Sequence, residues 1–444
     1  MADVSLRRPA SGADVGARIC DELMRGICGS AAIRFWNDVT HNIGSATPAF
    51  TLVVQDPVVL KRLVLTRNPI LLADGYFRGL VDLEGDLYSA LRLKHHFRTL
   101  TLSMPKRIAL LLDALRLPGW PRLSVLSGEL RNGGQFTREH SKDSDRAAIS
   151  FHYDLSNEFY RLWLDQQMVY SCAYFETPDD TLERAQRNKL EHICRKLRLA
   201  PGERFLDIGC GWGALVCWAA RHYGVRAHGI TLSQRQLEYA HQRIAAEGLE
   251  DLVTVELCDY RDLQGESVYD KVASVGMFEH VGLKNLPLYA ATVNRVLRPG
   301  GLFLNHGITH DEEGWRRSVD TEFINRYVFP DGELDTVSNV QREMERNGFE
   351  IHDVEGLRPH YALTLRHWVR RLETAHEEAV RRVGEPTYRV WRLYMAACAL
   401  EFEDGTTGIY QILASRRAAK ALPVPLTRRY MYPTSCVVGT SETS

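Results

Sequence analysis

The run most suggestive of chemistry is Phe205-Leu-Asp-Ile-Gly-Cys-Gly-Trp-Gly-Ala, an apolar stretch that passes into Asp207-x-Gly209-x-Gly211-x-Gly213. Glycines at this alternating spacing let the chain turn sharply and bring backbone amides against a ligand. A helix is predicted from about Ala214, so a nucleotide-like molecule is the natural occupant. A dinucleotide fingerprint wants G-x-G-x-x-G, which this run lacks. The next β-rich run ends His228-Gly-Ile-Thr-Leu-Ser-Gln-Arg-Gln, with no acid to grip a ribose and with Thr231 and Gln236 as polar replacements. Cys258-Asp-Tyr-Arg-Asp puts Asp259, followed by Tyr260, where a carboxylate could accept from an adenine amino group; a plain strand-ending Asp carries the same signature. Acid–base candidates come later: Glu279 just past a fourth apolar run, His306 just past a fifth, and Tyr361 in Pro359-His-Tyr-Ala-Leu-Thr-Leu. Cys172 and Cys398 are the candidate nucleophiles. Neither has a local activating partner, and Cys398, in an apolar helical stretch, suits wall packing.

The elements that must position these residues follow from periodicity. From Ala185 helical patterns alternate with apolar runs at Phe205 to Ile208, Val225 to Ile230, Leu252 to Leu257, Lys271 to Val275 and Gly301 to Leu304. Such alternation predicts an α/β fold, a doubly wound and mostly parallel sheet that binds ligands beyond the carboxyl ends of its strands. Before it, Thr51-Leu-Val-Val-Gln is β-rich, Asp56-Pro-Val-Val-Leu-Lys-Arg-Leu starts as a capped helix, and Phe77 to Leu83 reads as extended, a small α+β domain. The polar stretch Arg131 to Arg146 suits a linker. The expected organisation is a flexible tail at 1–15, an N-terminal α+β domain at 16–130, a linker at 131–146, a catalytic domain at 147–420 and a C-terminal tail at 421–444.

With 444 residues, 45% hydrophobic and 25% charged, the chain has the composition of a globular protein with room for two cores. Its 55 Lys and Arg nearly balance 56 Asp and Glu, so no global basic field points to nucleic acid. No run approaches the roughly 20 apolar residues that span a bilayer, and the start lacks a signal-peptide core, which predicts a cytoplasmic location. Nine cysteines without CxxC or zinc-ligand spacing indicate reduced packing thiols and no metal. Met104 to Trp120 combines apolar residues with Lys106, Arg107 and Arg116 and is a candidate for lying on the inner face of an anionic membrane.

Six blocks in order, Phe151-His-Tyr-Asp-Leu-Ser-Asn-Glu-Phe-Tyr, Met168-Val-Tyr-Ser-Cys-Ala-Tyr-Phe, Leu206-Asp-Ile-Gly-Cys-Gly-Trp-Gly, Thr231-Leu-Ser-Gln-Arg-Gln, Gly276-Met-Phe-Glu-His-Val-Gly and Phe323-Ile-Asn-Arg-Tyr-Val-Phe-Pro-Asp-Gly, resemble the cyclopropane-fatty-acyl-phospholipid synthase family. The family comprises class I S-adenosylmethionine-dependent methyltransferases related to the mycolic acid methyltransferases. The resemblance covers about 147–417. It implies that Tyr170, Ser171, the Asp207–Gly213 turn, Thr231, Gln236, Asp259 and Tyr260 bind S-adenosylmethionine. It further implies that Cys172, Glu279, His306, Ile308 and Tyr361 hold a bicarbonate ion as proton acceptor, with Glu279 keeping His306 oriented and charged. Cys398 matches a cysteine considered an active-site residue there. The implied substrate is the unsaturated acyl chain of a phospholipid at the membrane surface, and a homodimer is a candidate assembly.

Methylating an alkene builds positive charge on carbon, which aromatic faces can stabilise. Tyr153, Phe159, Trp163, Tyr170, Tyr174, Phe175, Phe278, Tyr327 and Phe329 are candidates for that role, and Trp368, Tyr394, Phe402 and Gln411 suggest a late helical region lining an acyl channel. Two readings compete: methylation of an amine nitrogen, known in relatives with the same cofactor blocks, and lipid binding without catalysis. A lipid C-methyltransferase giving a methyl-branched or methylene product is the nearest alternative.

Overall fold

The computed structural model describes residues 12–119 except Cys28 and Pro69, Lys142, 155–312, 333–418 and 423–432. These fall into two compact units. Residues 12–119 gather with 376–400, and 155–312, 333–375, 401–418 and 423–432 form the second. The expected linker lies outside the described residues apart from Lys142.

In the first unit, strands β1 (Ala31–Arg34), β2 (Thr40–Ile43), β3 (Phe50–Val54) and β4 (Val81–Gly85) form one sheet in the order β2-β1-β3-β4. The Asp56 side chain accepts from the Val58 amide at 2.8 Å and Pro57 opens the helix Pro57–Thr66, as the local sequence requires. The stretch read as extended from Phe77 is instead the end of helix Ile70–Phe77, and β4 starts at Val81. A helix runs from Gly12 to Leu23, through positions 12–15 of the expected tail, and Ala13, Val15 and Ile19 bury one face against Ile33, Phe35 and Leu117. Residues 376–400 join this unit through Arg389, whose guanidinium meets Asp82 at 3.2 Å and the Tyr76 carbonyl at 3.0 Å.

The second unit carries β5 (Arg204–Ile208), β6 (Arg226–Thr231), β7 (Val253–Leu257), β8 (Tyr269–Val275), β9 (Leu297–His310), β10 (Phe349–Gly356) and β11 (Thr407–Arg416). Their order is β10-β11-β9-β8-β5-β6-β7. The pairs from β9 to β7 are parallel and β11 is antiparallel to both neighbours. Alternation along the strands feeds two cores, one on each face. Phe205, Leu302 and Leu304 pack on one side with Val216, Ala219 and Ala240, and Leu206, Ile208 and Phe303 pack on the other with Val293 and Phe349. The chain reverses direction across the sheet between β5 and β8, which places a ligand crevice at their carboxyl ends.

Two departures matter for function. His306 does not lie past the fifth strand but inside it, because β11 pairs with β9 from Leu302 to His310 and keeps it extended. The expected C-terminal tail includes a short helical turn, Arg428–Met431, whose Met431 is buried in the core beside Ile193 and Leu197.

Candidate active site

The Asp207–Gly213 turn shows why each glycine is there. Gly209, Gly211 and Gly213 have φ of 81°, 54° and 81°, a region that L side chains avoid. The amides of Gly209 and Cys210 both donate to the Ile230 carbonyl at 2.9 Å, so the turn is tied to β6. A Cβ on Gly209 would sit 3.0 Å from Met277, and one on Gly213 would press within 3.2 Å of Ala240. A Cβ on Gly211 meets no protein atom within 4 Å and points into open space. Gly211 therefore marks ligand space, whereas the glycine at 213 is required by helix packing against Ala240.

Tyr170, Ser171, Asp207, Gly209, Gly211, Thr231, Gln236, Asp259 and Tyr260 all line this one cleft. Thr231 donates to the Gln236 carbonyl oxygen at 2.8 Å, with Gln236 set at the start of helix Gln234–Glu247 by the Ser233 cap. Asp259 accepts from the Arg261 guanidinium at 2.6 Å. Burial opposes its ionisation, but the Arg261 hydrogen bonds outweigh burial and hold the carboxyl below its usual range. Asp207 is different: it is wholly buried, its Oδ1 has no hydrogen-bond partner among the described residues, and burial, only partly offset by the Lys189 charge, pushes its carboxyl up to about 7. An S-adenosylmethionine molecule fits this donor set, with an unpaired carboxylate at one end and a cradle at Gly211. Gly211→Val is expected to weaken S-adenosylmethionine binding at least about tenfold by filling the cradle and straining the backbone. Calorimetry on the folded variant checks this, and unchanged affinity would remove the turn from the site.

The second cluster contains the expected proton-transfer residues. Glu279 is buried in the short helical turn Phe278–His280 that follows β8; its Oε1 accepts from the Ile308 amide at 2.8 Å and its Oε2 has no partner among the described residues. Burial pushes its carboxyl up to about 7, against the Ile308 hydrogen bond. His306 faces Gln411 across the β9–β11 pair, with Nδ1 3.2 Å from the Gln411 amide nitrogen and Nε2 without a partner among the described residues. Burial first, and then the charges of Lys189 and Lys196, drive its pKa far down. Burial therefore favours the neutral ring, and Gln411 is the side chain that faces Nδ1, whereas the expectation gives Glu279 the part of orienting His306 and keeping it charged. With the amide donating to Nδ1, an assignment made from the network, the ring proton sits on Nε2.

Leu357 joins the other members. Its amide donates at 2.8 Å to the Ile409 carbonyl, Ile409 being the cross-strand partner of Ile308. Its carbonyl accepts from the Tyr361 amide and lies 3.8 Å from the Cys172 sulfur. The segment bearing Cys172 is pinned to helix Arg358–Thr374 by Ala173 N to Thr364 Oγ1 and Phe175 N to His360 Nδ1, both 3.0 Å. Burial pushes the Cys172 thiol far above its usual range, so it stays protonated and is no thiolate nucleophile. Cys398 lies on helix His376–Asp404, in the stretch that gathers with the N-terminal unit.

An aromatic wall runs beside these groups. Trp212 contacts Tyr160 (5.1 Å between ring centroids), Tyr160 contacts Tyr170 (5.9 Å), Tyr170 contacts Trp368 (5.2 Å), Trp368 contacts Tyr361 (6.0 Å), and Tyr361 contacts Phe402 (4.7 Å). Trp163 packs against Tyr170 at 5.3 Å. Tyr174 and Phe175 instead stack on histidines, Tyr174 on His192 and His360, Phe175 on His367. Phe278 belongs to the core. Tyr153, Tyr327 and Phe329 fall outside the described residues. Gln411, expected in a helical region, is on β11.

Sequence reasoning missed Gln186 and Lys189. Both sit on the buried face of helix Leu182–Lys196 with Leu182, Ala185, Leu190 and Ile193. An amide and an ammonium at core positions of an amphipathic helix were the signal that could have found them.

A family model for mycolic acid cyclopropane synthetase matches residues 140–412. A probable fatty acid methyltransferase of Pseudomonas putida is 43% identical over 90% of this chain and 95% of its own length. The cyclopropane-fatty-acyl-phospholipid synthase of Escherichia coli is 41% identical over 62% of this chain and 69% of its own. Among solved structures, the mycolic acid cyclopropane synthase CmaA1 complexed with SAH and CTAB is 34% identical, with a TM-score of 0.58 over 61% of this chain and 98% of that one. With the cleft, the turn and the sheet order in place, these matches settle the kinship: the chain belongs to the mycolic acid cyclopropane synthetase family of S-adenosylmethionine-dependent methyltransferases.

Proposed function

We propose that this methyltransferase adds a methylene across the cis double bond of an unsaturated phospholipid acyl chain, with bound bicarbonate as the proton acceptor. The observation that carries this reading is the aromatic wall, which starts at the cofactor cleft with Trp212 and Tyr170 and reaches Tyr361, next to Leu357 and Cys172. When bound, S-adenosylmethionine would supply an electrophilic methyl group, and its acceptance by an alkene leaves positive charge on the neighbouring carbon. Ring faces hold such a charge without reacting with it, each contributing about 0.5–2 kcal/mol. A wall of rings also keeps out water that would trap the cation as an alcohol.

Ring closure then needs the loss of one proton from the delivered carbon. His306 Nε2 can donate and Glu279 Oε2 can accept, both are buried and neither has a partner among the described residues; a small anion that both accepts and bears a proton would need one of each. Bicarbonate in that position would supply a base small enough to approach a methyl carbon. The Ile308 amide is occupied by Glu279, so it would act on the anion by fixing that carboxylate. Incubation with vesicles of unsaturated phospholipid, followed by NMR of the acyl chains, tests the reading. A cyclopropane signal with stoichiometric release of S-adenosylhomocysteine is expected. Two isomers of the ring mark the other fates of the same cation: a methyl-branched alkene if the proton leaves a chain carbon, and a methylene product if a hydride shift first carries the charge to the methyl-bearing carbon and the methyl then loses the proton.

No helix among the described residues is long and apolar enough to cross a membrane. Helix Met104–Arg116 buries Leu110 and Ala114 and exposes Met104, Ile108, Leu112 and Leu115, spaced as a single stripe. Lys106 is paired with Glu22 and Arg116 with Asp113, which leaves the apolar stripe as the stronger lever on a bilayer. Ile108→Asp with Leu112→Asp is expected to reduce flotation with anionic vesicles severalfold, more than Lys106→Glu with Arg107→Glu. Undiminished flotation would remove this helix from the membrane surface.

A further inference from the structure

We propose that Lys189 is the cofactor-binding residue that takes the α-carboxylate of S-adenosylmethionine, with Ser171 held beside it. The inference rests on the cofactor assignment and extends it to a residue outside the glycine-rich turn. Lys189 is 2% exposed, lines the same cleft as Asp207 and Gly209, and extends Nζ to the Ser171 hydroxyl at 2.9 Å. Gln186, one turn earlier, donates to the Ser171 carbonyl at 2.9 Å, so the helix grips Ser171 twice.

An ammonium has three donors, and the one hydrogen bond Lys189 makes among the described residues goes to a neutral hydroxyl. A buried cation in that state is costly unless an anion joins it. Two carboxylates act on it from nearby, Asp165 and Asp207. Asp165 is committed to the Gln167 and Val169 amides at 2.9 and 2.8 Å, and Asp207 has an unpartnered Oδ1. One ammonium and one unpaired carboxylate in one cleft complement a zwitterion. S-adenosylmethionine has a single anionic group, the carboxylate of its amino-acid end, and an α-ammonium beside it. Asp207 is the partner for that ammonium and Lys189 for that carboxylate. Burial lowers Lys189 to about 8 and raises Asp207 to about 7, so both are poised to gain from ligand charges.

Calorimetry with S-adenosylmethionine and with its decarboxylated analogue separates this role from a structural one. The parent is expected to bind the intact molecule at least about 30-fold tighter than the analogue, as a buried charge pair implies. Lys189→Met is expected to lose a similar factor for S-adenosylmethionine, and to bind the analogue within about twofold of the parent; Lys189→Arg recovers part of the loss. Equal losses for both ligands, or a parent that does not discriminate between them, would overturn the proposal. The parent's own preference decides the matter if Lys189→Met does not fold. A parent that binds neither ligand would overturn the cofactor assignment itself and the proposal with it.

Discussion

Glu279→Gln is expected to lower turnover by about 100-fold or more, the scale of a lost acid–base partner, while S-adenosylmethionine affinity stays within about twofold. The glutamine oxygen can still accept from the Ile308 amide, so the local backbone survives. What changes is the second atom: the Oε2 acceptor, which has no partner among the described residues, becomes an amide donor. An anion that must leave its own proton on an acceptor then loses its partner but keeps His306. Added bicarbonate should therefore restore part of the rate in the variant. A carboxylate acting directly as base predicts no such rescue. The measurement is a bicarbonate titration in degassed buffer for parent and variant, and a parent fully active without bicarbonate would dissolve the assigned roles of Cys172, Glu279, His306, Ile308 and Tyr361 together.

The same carboxyl makes a pH prediction. Burial raises Glu279 to about 7, so its ionised form, the acceptor, grows in as pH rises through that value. The turnover of the parent should climb with it at saturating cofactor, and that limb should vanish in Glu279→Gln. Stability runs the other way. A carboxyl whose folded pKa lies above its unfolded value, about 4.3, binds more protons folded than unfolded in between, so its contribution is full below that value and lost as pH rises through about 7. Glu279→Gln should thus be at least as stable as the parent at pH 8 while far less active, a site that trades stability for chemistry. Melting both proteins at pH 6 and pH 8 checks the sign.

How far the sequence carries the site depends on whether the signal is local. The turn at Asp207–Gly213 is legible because positive φ and close approach demand glycine over a few consecutive residues. The Asp56–Pro57 helix start is local in the same way. His306 shows what is not local. Its place inside a strand, its neutrality and its orientation all depend on β11, which lies about a hundred residues on and brings Gln411 opposite it. Nothing around Asn305-His-Gly says that the strand continues to His310. Gly213 looks like its two neighbours in sequence, yet only the position of Ala240 reveals it as a packing glycine. Lys189 needed only helical periodicity, but its meaning needed Ser171 and Asp207 on the facing elements.

Lys196→Met is expected to cost about 3–5 kcal/mol of stability, the penalty for breaking one partner out of a buried ion network. Lys196 ends helix Leu182–Lys196 with its side chain wholly buried, and its Nζ lies 2.5 Å from Glu355 Oε2 and 3.2 Å from Asp353 Oδ2. His192 Nε2 meets the same Glu355 oxygen at 2.7 Å, and Arg428 closes the network on Asp353. Burial alone would raise Glu355, but the His192 hydrogen bond and the Lys196 charge overcome it and hold the carboxyl at about 2. Its stabilisation is therefore present above the unfolded value of about 4.3 and lost as pH falls through about 2. A methionine fills the space of the lysine stem and leaves both carboxylates without their shared cation, so the variant should unfold at higher pH on acidification as well as at lower urea. Arg428→Ala removes a cation that is 64% exposed and should cost no more than about 1 kcal/mol. Lys196→Met combined with Glu355→Gln should recover part of the loss, since the second change removes one of the stranded charges. Urea unfolding of the three variants beside the parent decides it, and a loss below about 1 kcal/mol for Lys196→Met would mean that water or chain movement already screens this network.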